Sequence, residues 1–183
     1  NPGNGIQPKD QLVIYDVDDI LSFPQRNEAG VVIEDDIVMK EGRYAIGIYL
    51  TPGTAEISSN SDGETDAEGY TPSIKFNHPG NQQEIREFKT NWLTKKCIVV
   101  LRYCSGKPAD LIGTPCNPCK LSVSYTGSNE SNTNELTFTQ ISKGDDIAIY
   151  QGTDTLEEPV AVVEAKATDI TYQTDGQYQL SAG

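Results

Sequence analysis

Four cysteines, one histidine and two runs of acids are the groups in this 183-residue chain that could do chemistry. Cys97, Cys104, Cys116 and Cys119 follow a C-x6-C-x11-C-x2-C pattern. The Cys116-Asn-Pro-Cys119 pair resembles a zinc knuckle, and four thiolates would complete a tetrahedral structural site. Cys97 and Cys104, however, lie an odd number of positions apart, seven, and would face opposite sides of one straight strand. That makes a single four-ligand site awkward. A redox CxxC is disfavoured by Pro118 and by the lack of a thioredoxin-like βαβ context. Free buried or partly buried thiols rank first, zinc second and disulfides third.

His78 stands before Pro79 in a turn, with no Ser, Cys or Asp at a catalytic spacing, and reads as a surface histidine. Asp16, Asp18 and Asp19 could bind Ca²⁺, but the central Gly and terminal Glu of the usual ligand loop are missing, so a solvated turn is expected. Asp62, Glu64, Asp66 and Glu68 alternate within a polar run. They could clasp a divalent cation, yet two-residue spacing also leaves all four exposed along one side of an extended arm. With no paired carboxylates, nucleophile–base pair or phosphate loop, no catalytic, cofactor-binding or metal residue is assigned, and an enzyme is not expected.

The length fits one domain, residues 1–183, able to bury a core without staples. No apolar run approaches the ~20 residues of a membrane helix, and the first ten residues lack the basic and apolar regions of a secretory signal. The net charge of −13 argues against a sequence-independent nucleic-acid binder. Its distribution is uneven: net −10 over residues 1–70, +5 over 71–128 and −8 over 129–183. A basic middle between acidic flanks suits copies that meet through opposite charges, as well as simple solubility.

The elements that must position these groups are mostly strands. Two-residue alternation between turn residues marks Leu121, Val123 and Tyr125, then Leu136, Phe138 and Gln140, as faces of half-buried antiparallel strands. Further strands are expected at 11–17, 31–33, 37–40, 43–50, 97–103, 147–150, 159–167, 170–172 and 178–180. Glu41-Gly42 reads as a two-residue hairpin turn between the runs 37–40 and 43–50. Residues 1–10 read as an arm, residues 106–118 as a loop and residues 54–71 as a long acidic loop ordered on assembly. One helix is expected over residues 81–96, capped by Asn81 with Glu84 reaching back, and seated by Ile85, Phe88 and Trp92.

The order of hairpin, acidic loop, capped helix and central strand, followed by LIGTPCNPCKLSVSYT and NELTFTQISKGDDIAIYQG, resembles the tail-tube (major tail) proteins of tailed bacteriophages and related contractile injection systems. The likeness covers residues 41–152 and is most specific in TFTQISKGDDIAIYQG and GTPCNP. It implies a mainly β fold, an antiparallel sandwich or barrel with one flanking α-helix. It implies a virion protein assembled in the host bacterial cytoplasm, whose identical subunits close rings, six to a ring, that stack into a hollow tube and contact other tail proteins. Residues 54–71 would correspond to the loop reaching the neighbouring ring, residues 81–96 to the flanking helix, and the termini to arms. DNA would pass through the lumen without specific binding, aided by acidic residues of 1–70 or 129–183 lining the bore. No membrane is implied. The cysteine cluster and the strands after Gly152 depart from the simplest members. A different class, a secreted or surface β-sandwich that binds a protein or glycan, also fits the acidic charge and the nine tyrosines.

Overall fold

The most hydrophobic run becomes β8 (Lys96–Tyr103), and the rest of the sheet is built outward from it. In the computed structural model, residues 7–64, 68–128 and 132–156 are described, together with the backbone of Ile170–Tyr172 and Tyr178–Leu180. Along one side of β8 lies β1 (Pro8–Asp16), antiparallel, with Val13 opposite Val100, and β5 (Ile46–Tyr49) extends the sheet beyond β1. The other side of β8 is shared. Its middle pairs with β9 (Ala109–Ile112), which continues to β12 (Ala148–Tyr150) and, in parallel, to β3 (Val32–Ile33). Its first residues pair with β10 (Cys119–Gly127), which leads through β11 (Asn132–Gln140) and β7 (Gly69–Pro79) to β6 (Glu56–Asp62). All these contacts except β3–β12 are antiparallel. Two short pairs complete the strands: β2 (Ile20–Ser22) with β4 (Val38–Met39), and β13 (Ile170–Tyr172) with β14 (Tyr178–Leu180).

Alternation in β1 and β8 places apolar residues on both of their faces, so two cores share these strands. Leu12, Ile14, Cys97, Val99 and Leu101 enter the first core with Ile74, Phe76, Leu121, Leu136 and Phe138. Val13, Tyr15, Ile98 and Val100 enter the second with Ile33, Leu111, Ala148 and Tyr150. The curled path β5–β1–β8–β10–β11–β7–β6 wraps the first core in a barrel-like sheet. The backbone N–H of Thr51, just past β5, donates to Asn77 O of β7 at 2.8 Å and draws the curl together.

Helix α1 (Gln83–Trp92) covers the first core with Ile85 and Trp92. Phe88 stacks on Trp92 at a centroid distance of 5.6 Å, and Lys95 Nζ lies 4.9 Å from the Trp92 ring centroid. The expected mainly β fold with one flanking α-helix is the fold observed.

Several local expectations are corrected. The described part of residues 54–71 is mostly not a loop: Glu56 to Asp62 pair residue by residue with Lys75 to Gly69 in an antiparallel ladder, and residues 65–67 lie outside the described residues. The arm 1–10 gives up residues 8–10 to β1, and residues 1–6 lie outside the described residues. The helix is shorter than 81–96, since Gln82 occupies the N-cap without a side-chain bond, Asn81 does not cap, and Lys96 already belongs to β8. Gly42 does turn the chain, at φ 70°, but β4 and β5 leave it for different partners, β2 and β1. The supposed loop 106–118 contains β9. The run 159–167 falls outside the described residues.

Candidate functional site

Register in the four strands β10, β11, β7 and β6 sorts their side chains onto two contrasting faces. Ile57, Ile74, Phe138 and Leu121 stand in one row across the sheet, and Phe76, Leu136 and Val123 in another, all turned into the first core. The intervening positions put Ser58, Ser73, Thr139 and Lys120 in one outer row, and Glu56, Lys75, Thr137 and Ser122 in the next. Asn77, Glu135 and Ser124 form a third. Every residue in these outer rows is polar. The hydroxyls of Ser58 and Ser73 lie 2.9 Å apart, and Lys75 Nζ meets Glu56 Oε2 at 3.4 Å.

Both margins of this sheet are open among the described residues. β6 pairs with β7 on one side alone. β10 is nine residues long; Cys119 and Lys120 pair with β8, which leaves seven, residues 121–127, paired on one side. The seven-residue β6 thus matches the free part of β10 in length. Unpaired strand margins of this length present rows of N–H and C=O groups that favour addition of another strand.

The β6–β7 ladder is held in place at its far end. Tyr70 and Gly144 exchange backbone bonds of 2.9 and 3.0 Å, and Lys143 Nζ sits 3.2 Å from Asp62 Oδ2. Ser59 Oγ donates to Asp146 Oδ1. At the near end, buried Asn134 accepts from Lys89 Nζ at 2.7 Å and donates to Gly80 O at 2.6 Å, tying α1 to β11. The acidic set is only partly accounted for: Asp62 carries the Lys143 contact, which holds its carboxyl below the usual range, and Asp66 lies outside the described residues.

A second polar cluster lies beside β8. Arg102 Nε bonds Asp154 Oδ2, its Nη2 donates to Gly152 O at 2.7 Å, and its guanidinium lies 5.5 Å from the Tyr150 ring centroid. Tyr15 Oη donates to the other Asp154 oxygen at 2.7 Å. Arg102, Gly152 and Asp154 border a groove of about 450 Å³ with Lys9, Gln11 and Thr153. Charge and hydrogen-bonding capacity are matched within the cluster, and it contains no nucleophile with a base. It clamps the chain after β12 onto the central strands. The signal for this cluster was weak in the sequence, because Tyr15, Arg102 and Asp154 are far apart and carry no motif.

The remaining candidates scatter. His78 Nδ1 lies 2.8 Å from Tyr49 O, and its ring meets Tyr49 edge-on. Asp16 Oδ1 accepts from the N–H of Asp18 at 3.1 Å, Asp16 Oδ2 pairs with Lys95, and Asp19 faces Arg43 at 3.4 Å, so Asp16 and Asp19 are drawn to different cations. Cys97 and Cys119 are buried thiols, whereas Cys104 and Cys116 are exposed. Among the described residues no three His, Cys, Asp or Glu side chains gather as a metal site.

Burial raises the Tyr15 hydroxyl above its ordinary value, with Asp154 adding to the effect, and burial likewise raises Tyr103, with Asp110 beside it. Burial also pushes the Cys97 thiol up to about 12. In each case the folded chain holds a proton that the unfolded chain releases sooner. This stability is therefore complete below about pH 9, erodes as the unfolded groups ionise, and is lost as pH rises through the folded values. Urea midpoints measured from pH 7 to 11 should stay level at first and then fall, and Tyr15→Phe should make the fall shallower.

No protein family, curated protein or solved structure matches the chain.

Proposed function

We propose that this chain is a structural subunit that assembles with identical copies by joining sheet margins, in the manner of a tail-tube subunit. The observation that carries the reading is the four-stranded sheet with two open margins of equal length and three wholly polar rows on its outer face. Because β6, β7, β11 and β10 alternate in direction, copies related by rotation about an axis along the strands would set β6 of one against residues 121–127 of the next in antiparallel register. Such a joint is heterologous and closes into a ring when the rotation closes. Closure leaves neither of these two margins open.

The polar outer face would then line the lumen. Glu56 and Glu135 on this face are balanced by Lys75 and Lys120, so the acidic bore expected from charge distribution narrows to a near-neutral, hydroxyl-rich wall. Polyanionic DNA would pass such a wall without the cationic footprint that retention requires. Other tail proteins would meet the ends of the tube, and six copies per ring is the expected closure.

Negative-stain microscopy of the concentrated protein tests the reading. Rings or tubes with a central channel are the expected result. A protein that stays monomeric at all concentrations, and adds no copies to preformed seeds, would transfer support to a self-contained β-sandwich that binds a protein or glycan.

A further inference from the structure

We propose that Cys97 and Cys119 are a cross-strand disulfide pair, open as thiols in this structure and closed by a small-molecule disulfide under oxidising conditions. The two residues are direct partners in the short antiparallel ladder between β8 and β10. Direct partners in such a ladder have Cα atoms about 4.5–5.5 Å apart, inside the span a disulfide bridges, and their side chains leave the sheet on the same face. Both thiols enter the first core, at 1% and 0% exposure, and Cys97 Sγ leans across to Cys119 O at 3.4 Å. Gly113, at φ 85°, packs over the pair; a Cβ there would sit 3.0 Å from Cys119 Sγ.

The location gives the bond a consequence. Two residue pairs are the whole ladder between the four-stranded sheet and β8, so a covalent bridge would fix the corner at which that sheet leaves the central strands. The chemistry is two successive exchanges. One protein thiolate attacks the small disulfide, forming a mixed disulfide and releasing one small thiol. The second protein thiolate then displaces the other, forming one Sγ–Sγ bond. Two protein thiols are oxidised, one small disulfide is reduced to two thiols, and both protons end on those thiols. Since burial keeps both groups protonated, closure proceeds while the ladder is open, during folding or local opening.

Refolding the full chain with oxidised glutathione tests the proposal, with reduced glutathione as the control. The expected product lacks two hydrogens, yields one linked peptide pair containing Cys97 and Cys119, and melts roughly 6 °C or more above the reduced form. The Cys104→Ser/Cys116→Ser double variant should keep both the link and the gain, and Cys119→Ala should lose both. Four alkylatable thiols after oxidative refolding, a link through Cys104 or Cys116, or a Cys97–Cys119 link without a rise in melting temperature would each overturn it.

Discussion

In the proposed ring, proline placed on the open margin of β6 is expected to weaken the joint between copies strongly while leaving the monomer folded. Successive N–H groups of a strand point to opposite sides, so of the exposed neighbours Asn60 and Ser61 one aims its N–H at β7 and the other at solvent. Proline at the first position removes a ladder bond and weakens the β6–β7 pairing; proline at the second removes only a donor needed by an incoming strand. The second variant should melt with the wild-type protein yet show assembly reduced by an order of magnitude or more, because a loss of about 1 kcal/mol per joint is repeated around the ring. Sedimentation and microscopy of Asn60→Pro and Ser61→Pro decide the matter. If both assemble normally, the β6 margin is not the joint.

Truncating Arg102 is expected to have the largest effect on stability of any single surface-reaching charge. Its partner Asp154 has a side chain only 7% exposed, and Arg102 itself is 27% exposed. Arg102→Ala leaves that carboxylate facing Tyr15 alone and removes the bond to Gly152 O and the cation above Tyr150. Removing one partner of a buried pair costs about 3–5 kcal/mol, and the partial exposure of Arg102 places the value near 3. Chemical denaturation should show the loss, and Arg102→Ala combined with Asp154→Asn should be less destabilised than the two separate costs added together, since the stranded charge is gone.

The parts of the fold that could be read beforehand are those where local pattern and burial agree. Leu136, Phe138 and Gln140 alternate with polar residues and are buried as expected, and the run at 97–103 is central because it is apolar on both faces. The strand β6 leaves little trace in the sequence because its outward residues are Glu56, Ser58, Asn60 and Asp62, types that also fill loops. Its one inward clue, Ile57, gains meaning only opposite Ile74, and that pairing is set by register across the sheet. The turn at 41–42 and a strand on either side of it are legible in the sequence, but their pairing is not, because β4 joins β2 and β5 joins β1 through partners distant in the chain. Asn81 had the chemistry of a cap, but the helix begins one residue too late to use it. The open margins themselves were invisible in the sequence, since an unpaired backbone leaves no mark on side-chain pattern.

The sharing of β1 and β8 between two cores has a mechanical consequence. Neither half of the molecule can loosen without disturbing the strands that support the other, so opening is expected to be all-or-none across both. Amides of residues 12–15 and 98–101 should exchange with deuterium only through global unfolding. In the proposed assembly, a load applied at one surface of a subunit would reach the opposite surface through two stiff strands rather than through a yielding interior.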